Sequence, residues 1–316
     1  MNIVITDIET VTQDDLSFKG IEAFGRVTAY GATAENEVEE RIKDADIILC
    51  NKTPLNRGNL KNAKNLRYIG LFATGFNNID IPYCKEKGVV VCNAPDYSTD
   101  AVAQLVFAFI LELANKVYAY KGLTDKGDWI KSRTFSMFPI PIMEIKGKTL
   151  GIIGLGNIGQ RTAEIGNAFG MKVIAYNRSP KEVKNVICTD LKTVLAESDI
   201  LSLHCPLNKE SENLINKDTI ALMKDGAILI NTARGAVVNE KDAACALKSG
   251  KLAGIGTDVL QKEPMSSDCP LYGAENCIIT PHIAWAAKET RERLLKIVED
   301  NIRGFIEGNI KNNVAM

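Results

Sequence analysis

Histidine is nearly missing from this chain: 316 residues hold two, His204 and His282. A protein with so little imidazole has no need of it for packing, yet His282 directly follows a proline in "ITPHIAWAA", residues 279–287, where a strand should end. An excess of charge of either sign is missing too. The 38 basic and 39 acidic residues leave a formal net charge of −1 and a pI near 6.2. That balance offers no basic footprint for nucleic acid and no polybasic anchor for a membrane. The eight cysteines form no CxxC pair, so neither a zinc cluster nor a disulfide framework is indicated; no metal is expected, and reduced thiols in the cytoplasm are. Long apolar runs are absent. The most apolar stretch, "AVAQLVFAFILELA" (101–114), carries Gln104 and Glu112 and is too short to span a bilayer, which predicts a buried helix. The opening "MNIVITDIET" passes from a short apolar run straight to acids, as a first strand does and a signal peptide does not.

What is present is the composition of a globular protein, 46% apolar and 24% charged, with a length suited to two domains. Short apolar runs alternate with longer amphipathic segments from end to end, which predicts parallel α/β architecture. The first half supplies "NIVIT", a helix near 35–44, "ADIILC", "LRYIGL" and "GVVVC". The second supplies "KTLGIIG", "KVIAYN", "VICT", "DILSLHC", "GAILINT", "LAGIGTDV" and "CIITPH". A boundary is predicted near "NAPDYSTD" (93–100), and "KETRERLLKIVEDNIRGFIEG" predicts a final helix of about 20 residues.

Within "GIIGLGNIGQR", Gly154, Gly156 and Gly159 form GxGxxG between a buried strand and a helix, and "KVIAYN" completes the βαβ unit. Such glycines let backbone approach a pyrophosphate, while the helix N-terminus offers unpaired N–H groups to it. Leu155, Asn157 and Ile158 belong to the same loop. About 20 residues beyond the first glycine, NAD enzymes place an acid on the adenosine ribose. This chain has Asn177, Arg178 and Ser179 there instead, a set suited to a 2′-phosphate, so NADP(H) is favoured and NAD(H) remains possible.

Ligands of doubly wound sheets bind beyond the carboxyl ends of the strands. Just past the later strands lie the glycine loop, Asn177 and Arg178, His204 and Cys205, Thr232 to Arg234, Asp258, and His282. Hydride transfer to a carbonyl needs a proton donor, a cation for the substrate and an acid that keeps the donor charged. His282 suits the first role, Arg234 with its planar fork the second, and Glu263 the third if the fold brings it to His282. His204 is expected to line the cofactor site.

With "ATGFNNID", "GLGNIG", "NTARG", "TDVLQKEP" and "TPHIAWA" in that order, the chain resembles the D-2-hydroxyacid dehydrogenase family over essentially its whole length. The resemblance implies two Rossmann-like, doubly wound parallel-sheet α/β domains with the active site between them. The coenzyme domain, 98–286, would be inserted in a flavodoxin-like substrate domain of 1–97 plus 287–316. It further implies a homodimer through the coenzyme domains, served by the helix 101–113 and the arm that carries Trp129. Arg234, Glu263 and His282 match the family's catalytic residues, and Thr74 and Gly75 match its carboxylate-binding loop. Val102, the glycine loop, Asn177 to Ser179, His204, Cys205, Pro206, Thr232, Ala233 and Asp258 match cofactor-contacting positions, Asp258 facing the carboxamide. Trp285 resembles the hydroxypyruvate reductase or glycerate dehydrogenase branch as a substrate contact, whereas "SRTFSMFPIPIMEI" (132–145) departs from that branch. The expected activity is reduction of a small 2-oxoacid, hydroxypyruvate or glyoxylate first. The alternatives are another D-2-hydroxyacid, such as D-lactate or a sugar acid, and a dinucleotide-sensing corepressor-like protein.

Overall fold

The computed structural model describes residues 1–179 and 181–315. The chain divides into two compact units, Met1–Ser98 with the segment from Trp285 onward, and Thr99–Ala284.

In the first unit, β1 (Asn2–Ile5), α1 (Lys19–Glu22), β2 (Arg26–Ala29), α2 (Val38–Ile42), β3 (Ile47–Cys50), α3 (Arg57–Leu60), β4 (Tyr68–Leu71), α4 (Ile81–Lys87) and β5 (Val90–Cys92) come in turn. The strands pair in parallel in the order β2-β1-β3-β4-β5. Every residue of β3 and β4 is buried, as parallel strands covered on both faces require, and each such Ile or Leu contributes about 1.5–3 kcal/mol by leaving water. The edge strand β2, in contrast, is largely exposed. It therefore lacks the apolar run that marks a strand in sequence, and "RVTA" is not among the predicted strands. The last helix, Lys288–Glu307, buries Leu294, Leu295, Val298 and Ile302 along one face. Its Phe305 ring lies 4.9 Å from that of Tyr68 in β4.

The second unit opens with α5 (Thr99–Asn115), the expected buried helix, which sinks Val102, Val106, Phe109, Ile110 and Leu113. At Lys116 the chain bends by 53° into α6 (Val117–Asp125), which buries nothing. No single helix among the described residues is long and apolar enough to cross a membrane. Next come β6 (Thr149–Ile153), α7 (Asn157–Ala168), β7 (Lys172–Tyr176), β8 (Ile187–Cys188), α8 (Leu191–Glu197), β9 (Ile200–Leu203), α9 (Lys217–Leu222), β10 (Ala227–Asn231), α10 (Glu240–Ser249), β11 (Leu252–Thr257) and β12 (Cys277–Ile279).

All seven strands of this unit are parallel, in the order β12-β11-β10-β9-β6-β7-β8. Because they run one way, the segments after β6, β7, β9, β10, β11 and β12 share one edge. Strand order reverses between β6 and β9, which opens a crevice at their carboxyl ends.

Candidate active site

The crevice is shaped first by glycine. Gly154, just past β6, has φ of 99°, and a Cβ there would lie 2.8 Å from both Cys205 N and the His204 carbonyl carbon. Only glycine lets the two strand ends pass so closely. A Cβ at Gly159 would meet the Gly154 carbonyl oxygen at 2.1 Å, whereas at Gly156 it would meet nothing within 4 Å. Open space thus lies over the start of α7, which has no side-chain N-cap, and helix N–H groups without a cap attract an anion. Leu155 is buried, Asn157 exposed and Ile158 half-buried.

Asn177 comes after β7 and turns back on this loop: its Oδ1 accepts from Leu155 N–H at 3.0 Å, and its Nδ2 donates to the Ser179 carbonyl at 2.7 Å. Arg178 is 73% exposed and pairs loosely with Glu210 at 3.3 Å. Lys181, which no sequence motif singles out, donates to the Leu155 carbonyl at 2.9 Å. Across the crevice, Nε2 of His204 shares a hydrogen bond of 2.9 Å with Ser202 Oγ. Desolvation of the partly buried ring lowers the His204 pKa to about 4, so the imidazole is neutral at neutral pH. Burial likewise raises the Cys205 thiol. Pro206 is exposed, while Val102 and Ala233 are buried.

At the tip of β10, Thr232 Oγ1 is buried without a partner, a polar atom placed for a ligand group. The glycine cradle, the uncapped helix and this orphan hydroxyl fit a dinucleotide. Arg234 comes next, exposed and extended, its guanidinium turned onto the Ala233 carbonyl at 2.7 Å.

His282 stands three residues past the end of β12, with φ of 56°. Its N–H donates to the Asp258 carbonyl at 2.9 Å. The Asp258 carboxylate, 1% exposed, accepts from Thr280 Oγ1 at 2.5 Å and from the N–H groups of Ile283 and Ala284, each at 2.8 Å. Burial pushes its carboxyl above the ordinary range, opposed by these donors. Through these bonds Asp258 pins the loop that presents His282. Nδ1 of His282 meets Glu263 Oε2 at 2.7 Å, and Glu263 Oε1 accepts from Leu260 N–H at 3.0 Å. With Nδ1 bound to the carboxylate, Nε2 is the ring nitrogen left for another partner.

A family model described as "D-isomer specific 2-hydroxyacid dehydrogenase, NAD binding domain" matches residues 107–284. The chain belongs to the D-2-hydroxyacid dehydrogenase family. A hydroxypyruvate reductase of Blautia hydrogenotrophica is 43% identical over 99% of this chain and 99% of that protein. A glyoxylate reductase of Thermococcus litoralis is 39% identical over 87% of this chain and 85% of that protein. Among solved structures, an acyclic imino acid reductase in complex with NADPH and D-Arg matches with a TM-score of 0.89 at 31% identity, covering 99% of this chain and all of the other. This member of the family is therefore an oxidoreductase with a nicotinamide dinucleotide site, built on two parallel-sheet α/β units.

In the first unit, Thr74 and Gly75 lie beyond β4. Thr74 is fixed at both ends, its Oγ1 donating to the Ala94 carbonyl at 2.8 Å and its own carbonyl accepting from Asn93 Nδ2 at 2.7 Å. Buried Asp7, at the end of β1, receives the N–H groups of Asn51, Lys52 and Thr53 at 2.9, 2.6 and 2.8 Å. Trp285 packs edge-on to Tyr97, ring centroids 6.4 Å apart. Asp7, Ser202 and Lys181 escape a reading for catalytic residue types because they act on backbone or on a neighbouring side chain. The acid-after-strand pattern in "VITD" and the alternation in "LSLH" are the signals that Asp7 and Ser202 left behind.

Proposed function

We propose that this chain reduces hydroxypyruvate or glyoxylate, with NADPH preferred over NADH. The observation that carries the reading is the 2.7 Å contact between His282 and Glu263, at the sheet edge that also holds Arg234 and the glycine cradle. The names of the relatives support the substrate class, and Trp285 supports the hydroxypyruvate branch. The cradle of Gly154, Leu155, Gly156, Asn157, Ile158 and Gly159 holds the pyrophosphate. Thr232, Ala233, His204, Cys205, Pro206, Val102 and Asp258 border the nicotinamide half. When bound, that cofactor supplies the hydride.

The chain's own groups manage charge and protons. Arg234 holds the substrate carboxylate. His282, held by Glu263 through Nδ1, delivers a proton from Nε2 to the carbonyl oxygen as negative charge develops there. The strand end of β7 carries no acid to take a ribose 2′-hydroxyl, and Arg178 is exposed with only a surface ion pair, which is weak and readily exchanged for a phosphate.

The arm after α5 exposes Tyr118, Trp129, Ile130, Phe135 and Phe138, which supports a homodimer through the coenzyme units. All eight cysteines are free thiols, in keeping with a reducing cytoplasm. Single-turnover oxidation of NADPH against hydroxypyruvate, glyoxylate and pyruvate, repeated with NADH, tests the whole reading. The fastest turnover is expected with NADPH and one of the first two acids. Turnover with pyruvate alone would replace the substrate, and binding of the dinucleotide without turnover of any 2-oxoacid would replace the activity.

A further inference from the structure

Glu240, the first residue of α10, is 8% exposed, yet it takes no part in capping its helix, a task that falls to Asn239. Its carboxylate points at a different segment. Oε1 accepts from Gln261 N–H at 2.6 Å, and Oε2 lies 3.8 Å from Cys269 Sγ. A short bond from a backbone N–H to a buried carboxylate is among the stronger ties a loop can have.

The residue it holds leads directly to the proton donor. Leu260, the neighbour of Gln261, donates its N–H to Glu263 Oε1 at 3.0 Å, and Glu263 Oε2 meets His282 Nδ1 at 2.7 Å. The same stretch is fastened twice more from the 235–238 side. Gln261 Nε2 donates to the Val238 carbonyl at 2.9 Å, and a Cβ at Gly235 would fall 1.9 Å from the Leu260 carbonyl carbon. Gly235 adjoins Arg234, so the Glu240 carboxylate, together with these two contacts, sets the register between the segment carrying the guanidinium and the segment carrying the glutamate.

We propose that Glu240 is a positioning residue for the reduction, setting Glu263 against His282 through the Gln261 backbone. This rests on the roles proposed for His282 and Glu263. A role confined to stability would lower melting temperature without a selective loss of turnover, and would depend on packing volume rather than on an acceptor atom.

The test compares Glu240→Met, which keeps length but removes the acceptor, with Glu240→Gln, whose amide oxygen can still take the Gln261 N–H, and with Cys269→Ala, which alters only the Oε2 side. Each is assayed well below its melting temperature for kcat and KM with hydroxypyruvate and NADPH, and for NADPH affinity by fluorescence. Glu240→Met is expected to lower kcat by about tenfold to a hundredfold, with KM and NADPH affinity within about threefold of wild type, since small misplacements near reacting groups cost rate in this range. Glu240→Gln is expected to restore kcat to within about threefold, and Cys269→Ala to match wild type, by the same reasoning. If Glu240→Met does not fold, Glu240→Asp draws the acceptor back by one methylene and should show the same kcat loss.

A wild-type kcat in the variant lacking a well-placed acceptor overturns the proposal, as does a Glu240→Gln enzyme as impaired as Glu240→Met. His282→Ala, run alongside, separates the two failures. Loss of turnover there with none in Glu240→Met overturns this inference alone, whereas turnover kept in His282→Ala overturns the proposed function and this inference with it.

Discussion

Nδ1 of His282 and Oε2 of Glu263 meet at 2.7 Å although 19 residues separate them in the chain. The contact leaves Nε2 as the nitrogen for the proton donation proposed above. Replacing His282 with Ala should lower kcat by about 100-fold to 10,000-fold, the range of a lost general acid. Dinucleotide affinity, followed by quenching of protein fluorescence, should hold. A near-normal kcat would refute the assignment.

Asp258 holds the turn that presents that imidazole, with three donors on its carboxylate and its carbonyl on the His282 N–H. Asp258→Ala strands two backbone N–H groups and a hydroxyl, and should cost on the order of 3 kcal/mol of stability. Urea unfolding measures it. A loss of under about 1 kcal/mol would mean that the turn holds its shape without the acid.

Arg178 is exposed at the end of β7, where no acid competes for the ribose. Arg178→Asp should move the ratio of kcat/KM for NADPH over NADH towards NADH, by about tenfold or more for one charge-assisted contact reversed. An unchanged ratio would remove Arg178 from cofactor selection.

His204 supplies a pH prediction. Its pKa falls from 6.5 to about 4 in the folded chain because its surroundings desolvate the charged ring. Unfolded chains therefore bind a proton that the fold does not, between those two values, so stability is full above about 6.5 and declines as pH drops towards 4. In His204→Asn, melting temperature followed from pH 7 to pH 4 should decline less steeply than in wild type. Parallel curves would show that another group governs this window.

Gly154 tests the crevice. With φ of 99° and backbone 2.8 Å from where a Cβ would stand, Gly154→Ala should destabilise by about 1–3 kcal/mol and weaken the dinucleotide. Calorimetric melting with and without NADPH would read both effects. Unaltered binding would mean that the β6 loop has room to spare.

Much of this was open to reading in the chain alone, because it rests on local chemistry. Buried parallel strands announce themselves as apolar runs, and "GLGNIG" between a strand and a helix states its own geometry. Once the strands are taken as parallel, their downstream residues must share an edge, which puts Arg234, Thr232, Asp258 and His282 on one side of the sheet. Strand β2 was illegible for the converse reason: an exposed edge carries no periodic apolar signal. Tertiary structure alone decided the rest. Whether Glu263 reaches His282, which loop Asp258 ties down, and where Glu240 aims its carboxylate all depend on segments that meet only after the sheet has formed. Composition tells which groups are available; pairing across the sheet edge sets their distances, and proton transfer and hydrogen bonding fall off within an ångström.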